Sequence, residues 1–487
     1  MRVPARTLGT TAQDRPGPEA SVETAGERYD AIVIGAGMSG LAAGIRMAQF
    51  DKRVLVVERH SLWGGLNSFY KQAGRRFDTG LHALTNFVPR GTPRVPLTRV
   101  LRQLRLDYDE LKLRPQSFSE VAYPDLRLRF SNDFELFRSE VHRAFPSSVG
   151  DFDTFVAELD GYNAAQEPSG TSARAVLTER LRDPRLVDAL LLPTCYYGSP
   201  QPDDVDWNSF TILFRSIFME GFARPEGGVK HLLDLLVKRY RSVGGELRMR
   251  TGVDQVLLSG KDHSRASGVR FEDGTEAYAD LVISSAGWAE TMSLAGRSVP
   301  EDDIGRLTFV ETIAVVDRQP ADLDHEATIT FFNDTERLVY AEPESEIDVR
   351  SGVICCPNNY ASHELDEGIL RVTCLARYDR WVDLEEEDYV AQKARVADAM
   401  LDVAQRYSFD PRPHAVHRDT FTPRTIYYYT RHRNGAIYGS PNKRGSGETP
   451  IDGLFLCGTD QGLLGIVGAM LSGIAIANAQ GLTSPTS

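Results

Sequence analysis

The residues best placed to do chemistry at a fixed spacing are Gly35-Ala36-Gly37-Met38-Ser39-Gly40 and, one strand later, Glu58. Gly35 allows a tight turn, Gly37 lets bare backbone approach a diphosphate, and Gly40 lets a helix lie close on a strand. The helix that begins there offers unpaired N–H groups and a positive dipole end to phosphate oxygens. A carboxylate at Glu58 accepts hydrogen bonds from both ribose hydroxyls and repels a 2′-phosphate, which disfavours NADP. The competing reading is a glycine-rich turn with an unrelated surface glutamate. Context separates the two, because the fingerprint needs a strand before it and a helix after it. Ala31 to Ile34 form a short apolar run, Leu41 to Phe50 are rich in Ala and Leu, and Arg53 to Glu58 read as a second buried strand. The β-α-β frame is therefore complete.

A second α/β signature begins at Pro225, with paired glycines before the helix-like VKHLLDLLVKRYRSVG. A hairpin follows, its turn marked by Asp273-Gly274 between alternating runs. The region 100–225 predicts helices near 134–160 and 172–192, and 300–414 predicts strands and then a helix at about 385–407. LFLCGTD near the C-terminus is again a buried strand entering a glycine turn. The uncharged stretch Gly462 to Leu482 is long enough to imitate a membrane span. Its start directly after that turn argues instead for a helix packed on the sheet. Gly465, Ala469 and Gly473, four residues apart, would form its small face.

Composition narrows the function classes. Lys and Arg total 55 against 68 Asp and Glu, a net charge of −13, so nucleic acid is not the expected partner. Cys195, Cys355, Cys356, Cys374 and Cys457 form no C-x-x-C, which fits a reducing cytoplasm and indicates neither a metal site nor a dithiol relay. Residues 1–27 read as a disordered tail without an apolar signal segment.

FAD is chosen over NAD for three reasons. Gly64-Gly65 and GRRFDTGLH follow Glu58 closely, the chain holds only one dinucleotide fingerprint, and LFLCGTDQG resembles a C-terminal flavin motif. Taken with ERHSLWGGLNSFY, PEGGVKHLLDLL, NGAIYG and LFLCGTDQGLLGIVGAMLSGIAIAN, the chain resembles the phytoene desaturase, carotenoid isomerase and retinol saturase flavoproteins. It departs from them at Leu66, where many relatives carry Arg. The resemblance implies an α/β fold, with a Rossmann-type FAD-binding domain and an inserted α+β substrate domain. The expected segments are 28–100, 225–299 and 415–487 for FAD, and 101–224 and 300–414 for substrate. It further implies that Gly35, Ala36, Gly37, Met38, Ser39 and Gly40 hold the diphosphate of non-covalent FAD, and that Glu58 and Arg59 hold its adenosine end. Gly64, Gly65 and Leu66 would pass along the cofactor, Val253 would lie by adenine, and Gly458, Thr459 and Asp460 would meet the diphosphate and ribityl chain. Gly465, Ile466, Val467 and Ala469 would bring a helix N-terminus to the flavin ring.

The expected reaction is hydride exchange between flavin N5 and a C–C unit of a long apolar polyene, with the electron donor or acceptor left open. The alternatives are a flavin amine oxidase and a non-catalytic prenyl or lipid carrier. His82 is the catalytic candidate, since His moves protons near neutral pH, with a loop-fixing role as the competing reading. Tyr427, Tyr428, Tyr429 and Tyr438 are read either as tunnel lining or as sheet core. Asp203-Asp204 reads as a solvated turn. An apolar substrate implies peripheral contact with the inner face of the membrane, through a rim of Leu190, Leu191, Leu192, Phe210, Leu213 and Phe214, while ordinary helix core is the competing reading. One outcome follows directly: the purified protein should be yellow, and acid precipitation should release FAD into the supernatant. A colourless folded protein that ignores added FAD contradicts the cofactor assignment.

Overall fold

The computed structural model describes residues 27–80, 83–93, 95–162, 168–361 and 365–482. Five short parallel strands form the dinucleotide sheet, in the order Glu246–Met249, Val54–Glu58, Ala31–Ile34, Val282–Ser284 and Leu454–Leu456. Buried on both faces, these strands read as continuous Val, Ile and Leu runs rather than as alternation. One face is covered by three helices, Met38–Ala48, Val229–Ser242 and Gly465–Ile476. The other is covered by a four-stranded sheet that contains the expected hairpin, Arg265–Phe271 paired with Glu276–Tyr278. Glu27–Arg28, the end of the expected tail, forms a strand at that sheet's edge, whereas 1–26 lie outside the described residues.

A seven-stranded sheet forms the second layer, in the order Ala415–Phe421, Thr308–Val316, Gly368–Ala376, Ile347–Cys355, Ile329–Asn333, Ser119–Tyr123 and Leu126–Phe130. Residues 415–421 pair with Thr308–Val316, so this sheet extends past the boundary at 414 that the sequence suggests. Its strand character comes from alternating Ala, His, Asp and Phe, a pattern too polar to be recognised beside the aromatic run after it.

The helical insert follows its caps. Pro146 divides the expected 134–160 helix into Phe134–Ala144 and Val149–Gly161, and Asp133 accepts from Glu135 N at the start of the first. Asp183-Pro184 likewise divides 172–192 into Ala173–Leu181 and Pro184–Gly198. The proposed membrane rim is overturned here. Leu190, Leu191, Leu192, Phe210 and Phe214 are 0% exposed and Leu213 is 3% exposed, because the helices turn these side chains onto one another and onto the seven-stranded sheet. Among the described residues, no helix is long and apolar enough to cross a membrane. The uncharged C-terminal stretch forms Gly465–Ile476 followed by a wide turn at Ala477–Gly481. Asp203 and Asp204 are half-buried braces: Asp203 accepts from Tyr340 N at 2.6 Å, and Asp204 accepts from Arg174 N at 2.8 Å. All five cysteines are buried.

The first and last helices cross in backbone contact. A Cβ on Gly473 would stand 2.0 Å from the carbonyl oxygen of Ser39 and 3.0 Å from Ala43 N. Gly473→Ala should therefore destabilise the FAD-loaded protein by about 1–3 kcal/mol in chemical unfolding. Ala is otherwise the better helix former, so a gain in stability would show that the helices can separate freely.

Candidate flavin site

The site is assembled around the start of the first helix. Gly35 has φ +98°, and a Cβ there would lie 2.3 Å from Ser285 Oγ. Gly40 approaches the Gly35 carbonyl so closely that a Cβ would be 2.0 Å from it. Gly37 is different: the nearest atom to a Cβ there is Gly64 O, at 3.9 Å. At Gly65 it is Gly37 Cα, at 3.7 Å. The turn therefore closes behind Gly35 and Gly40 and leaves room over Gly37 and Gly65, with the uncapped N–H groups of the helix beside it. Such a cradle fits a diphosphate.

Glu58 ends its strand with both carboxylate oxygens engaged, Oε2 by Ala36 N and Oε1 by His60 N, each at 2.9 Å. A carboxylate has about four acceptor positions, so capacity for ribose hydroxyls remains. Thr251 N donates to the Glu58 carbonyl at 2.9 Å, which draws the segment ending in Val253 alongside. Arg59 donates to Tyr428 O and Tyr429 O at 3.1 and 3.4 Å, where it caps the helix Pro423–Thr430. That helix places Tyr428 and Tyr429 at the surface, 51% and 39% exposed, so neither is sheet core. Tyr438 is by contrast packed on Phe309, with ring centroids 5.7 Å apart, and donates to Tyr196 O.

The C-terminal turn meets the N-terminal one. A Cβ on Gly458 would lie 3.0 Å from Ser39 Oγ, and the Gly458 N–H donates to Ser472 Oγ at 2.5 Å. Thr459 and Cys457 border a small polar cleft shared with Ser285, Gly287 and Asp460. The Asp460 carboxylate binds backbone, taking Trp288 N at 2.5 Å and Ser440 N at 2.7 Å, with Lys443 Nζ 3.7 Å away. Burial pushes the Lys443 amine down, and the Asp460 charge opposes that shift. Gly465, at φ +70°, begins the last helix against the ring of Tyr197, and Ile466 and Val467 are buried behind it. Ala469 is packed on the core of the dinucleotide domain. Leu66 accepts from Thr79 Oγ1 through its carbonyl at 3.2 Å, so this position contributes backbone. His82 lies outside the described residues.

Sequence reasoning missed Ser285 and Lys443. Ser285 had a signal, since small residues directly follow the buried strand Val282–Ser284, as they do at Cys457-Gly458. Lys443 had none, because its burial depends on the fold of a whole loop.

The family model of flavin containing amine oxidoreductases matches residues 38–479. A prolycopene isomerase from Arabidopsis thaliana is 23% identical, over 88% of this chain and 78% of its own. The all-trans-retinol 13,14-reductase of Danio rerio is 23% identical, over 91% and 84%. In three dimensions, an oxidoreductase from Methanosarcina mazei superposes with a TM-score of 0.64 at 18% identity, covering 92% of this chain and 99% of that one.

Glu58→Ala should weaken FAD binding by about 1.5–3 kcal/mol, the worth of hydrogen bonds to a charged acceptor. Fluorescence titration of both apoproteins with FAD measures the difference. Equal dissociation constants would remove Glu58 from the ribose.

Proposed function

Because the chain belongs to the flavin containing amine oxidoreductases, an FAD-dependent family, we propose that it exchanges hydride with a C–C unit of a long apolar polyene, carotenoid- or retinoid-like. Bound FAD supplies the two-electron, hydride-exchanging centre at flavin N5. The rest of the work falls to the protein, which binds the chain, excludes water and aligns one carbon.

The observation that carries this reading is a buried aromatic cluster at the start of the last helix. Buried Tyr196, Phe222, Phe309 and Tyr340 belong to one apolar cluster, and Tyr197, Tyr438 and Leu464 pack against it at the start of the last helix. Rings of this kind at the edge of a substrate site would hold a conjugated chain through dispersion and desolvation, with no counter-ion needed. Two carboxylates of the same half, buried Glu311 and half-buried Glu220, are already engaged, by Arg371 and by Asn86. An alkylammonium substrate would want such a carboxylate free. The names of the two relatives, a prolycopene isomerase and a retinol reductase, agree with a polyene.

In this reading Gly35, Gly37, Ser39 and Gly40 hold the diphosphate, and Glu58 and Val253 the adenosine end. Gly458 and Thr459 meet the ribityl side. The helix starting at Gly465 directs its positive end at the ring system, which favours negative charge there.

The test mixes FAD-loaded protein anaerobically with a carotenoid or retinoid in detergent micelles, using oxidised and chemically reduced protein in parallel. Either bleaching of the oxidised flavin band or its return should occur with the polyene and not with a diamine. A response to the diamine alone would transfer the enzyme to amine oxidation.

A further inference from the structure

The helix Pro423–Thr430 borders the cofactor groove and is lightly held. Of its eight residues only Pro423 and Ile426 are buried, and Tyr428 and Tyr429 lie at the surface. The first helix, Met38–Ala48, buries ten residues of eleven. An element with so few buried side chains opens locally at far lower cost than the core around it.

Its two ends are held differently. At the start, Thr422 is buried, its hydroxyl shares a 3.0 Å hydrogen bond with the Tyr389 hydroxyl, and the Arg424 guanidinium lies 4.8 Å over the Tyr389 ring. The other end is held from the dinucleotide domain. The Tyr427 carbonyl is satisfied locally, by Arg431 N at 2.8 Å. Those of Tyr428 and Tyr429 are satisfied from outside the helix, by Arg59 Nη2 at 3.1 and 3.4 Å. A cation at this end also meets the negative pole of the helix. The Tyr429 ring meets His60 edge-on, with centroids 4.9 Å apart, and the helix packs on the turn Gly65–Asn67. The helix therefore touches the run 58–67 at both ends, beside Glu58 and beside the paired glycines.

A long cofactor gripped by segments from both ends of the chain leaves only where one wall gives way. The crossing at Gly473 is backbone against backbone, and the strands before Gly35 and Gly458 lie inside a parallel sheet. We propose that Pro423–Thr430 is a strap that opens by local unfolding to admit and release FAD, with Arg59 as its latch and Tyr429 as its second hold. This goes beyond the function proposed above and rests on residues 58–65 lining the FAD path. Arg59 is then a positioning residue that sets the rate of cofactor exchange, not a ligand of the adenosine.

The experiment measures FAD exchange. Association is followed by stopped-flow flavin fluorescence on apoprotein, and release by chasing the loaded protein with an excess of a spectrally distinct FAD analogue. Arg59→Ala should raise both rates about tenfold, the effect of losing roughly one hydrogen bond from the closed state, and leave the dissociation constant nearly unchanged. Tyr429→Ala, at an exposed position that folding tolerates, should move both rates in the same direction. Arg59→Lys, which still donates to carbonyls, should return them toward wild type. In the wild-type apoprotein the amides of 426–430 should exchange with deuterium faster than those of the strand Thr308–Val316, and faster again in Arg59→Ala. If Arg59→Ala speeds release alone and weakens binding in proportion, Arg59 touches the cofactor and the strap is refuted. Unchanged rates in both alanine variants, or helix amides as protected as the strand, make the helix a fixed wall and also refute it. Glu58→Ala, run in parallel, should speed release without speeding association. Wild-type rates in that variant would remove the FAD path on which the strap rests, and both readings would fall.

Discussion

At Gly473 the last helix meets the first backbone to backbone, and the site exists because of that crossing. Gly473 sits on the Ser39 carbonyl, and Gly458 sits against the Ser39 hydroxyl. These contacts bring residues from opposite ends of the chain into one cradle. Each depends on a side chain that is missing. A methyl group at Gly473 would meet backbone, which cannot swing aside as a flexible side chain can. The parallel sheet imposes the same geometry, because Leu454–Leu456 must lie beside Val282–Ser284 before the turn at Gly458 can reach Ser39.

A second constraint pins the seven-stranded sheet to the cradle. Arg371 Nη2 donates to the Asp78 carbonyl at 3.0 Å, and its Nε pairs with Glu311, both side chains 3% exposed. The Asp78 carboxylate takes Arg224 and also Val229 N, the latter at 3.3 Å. Thr79 follows at once and ties back to Leu66. Buried charges of this kind are costly to desolvate, and removing a single partner costs more than replacing both. The network therefore fixes one arrangement of the two layers, since any slippage would strand a charge in the core.

The legibility of the sequence divides along the same line. Cofactor recognition relies on glycines, short apolar strands and one carboxylate at a strand end, and these are local patterns that can be seen residue by residue. Glu58, Gly35, Gly37, Gly40, Gly458 and Gly465 were all visible, and they occupy the turns and strand ends of a single cradle. Asp460 was expected at the diphosphate and ribityl chain; its carboxylate faces the N–H groups of Trp288 and Ser440, which are remote in sequence. The apolar run at Leu190–Leu192 could not be assigned to surface or core from hydrophobicity alone. Only the packing of five helices against a sheet decides it.

The site also couples cofactor binding to folding. Its expected walls come from 35–40, 58–65, 250–253 and 458–467, and Arg59 ties the turn after Glu58 to the helix Pro423–Thr430. A ligand that touches all of these segments stabilises the folded state over any form in which one of them has detached. Losing the cofactor releases the uncapped N–H groups of two helices at the same place, so the segments that separate first should be those that only the cofactor joins. The crossing at Gly473 and the network at Arg371 do not depend on the cofactor. The two layers can therefore remain assembled in the absence of the cofactor.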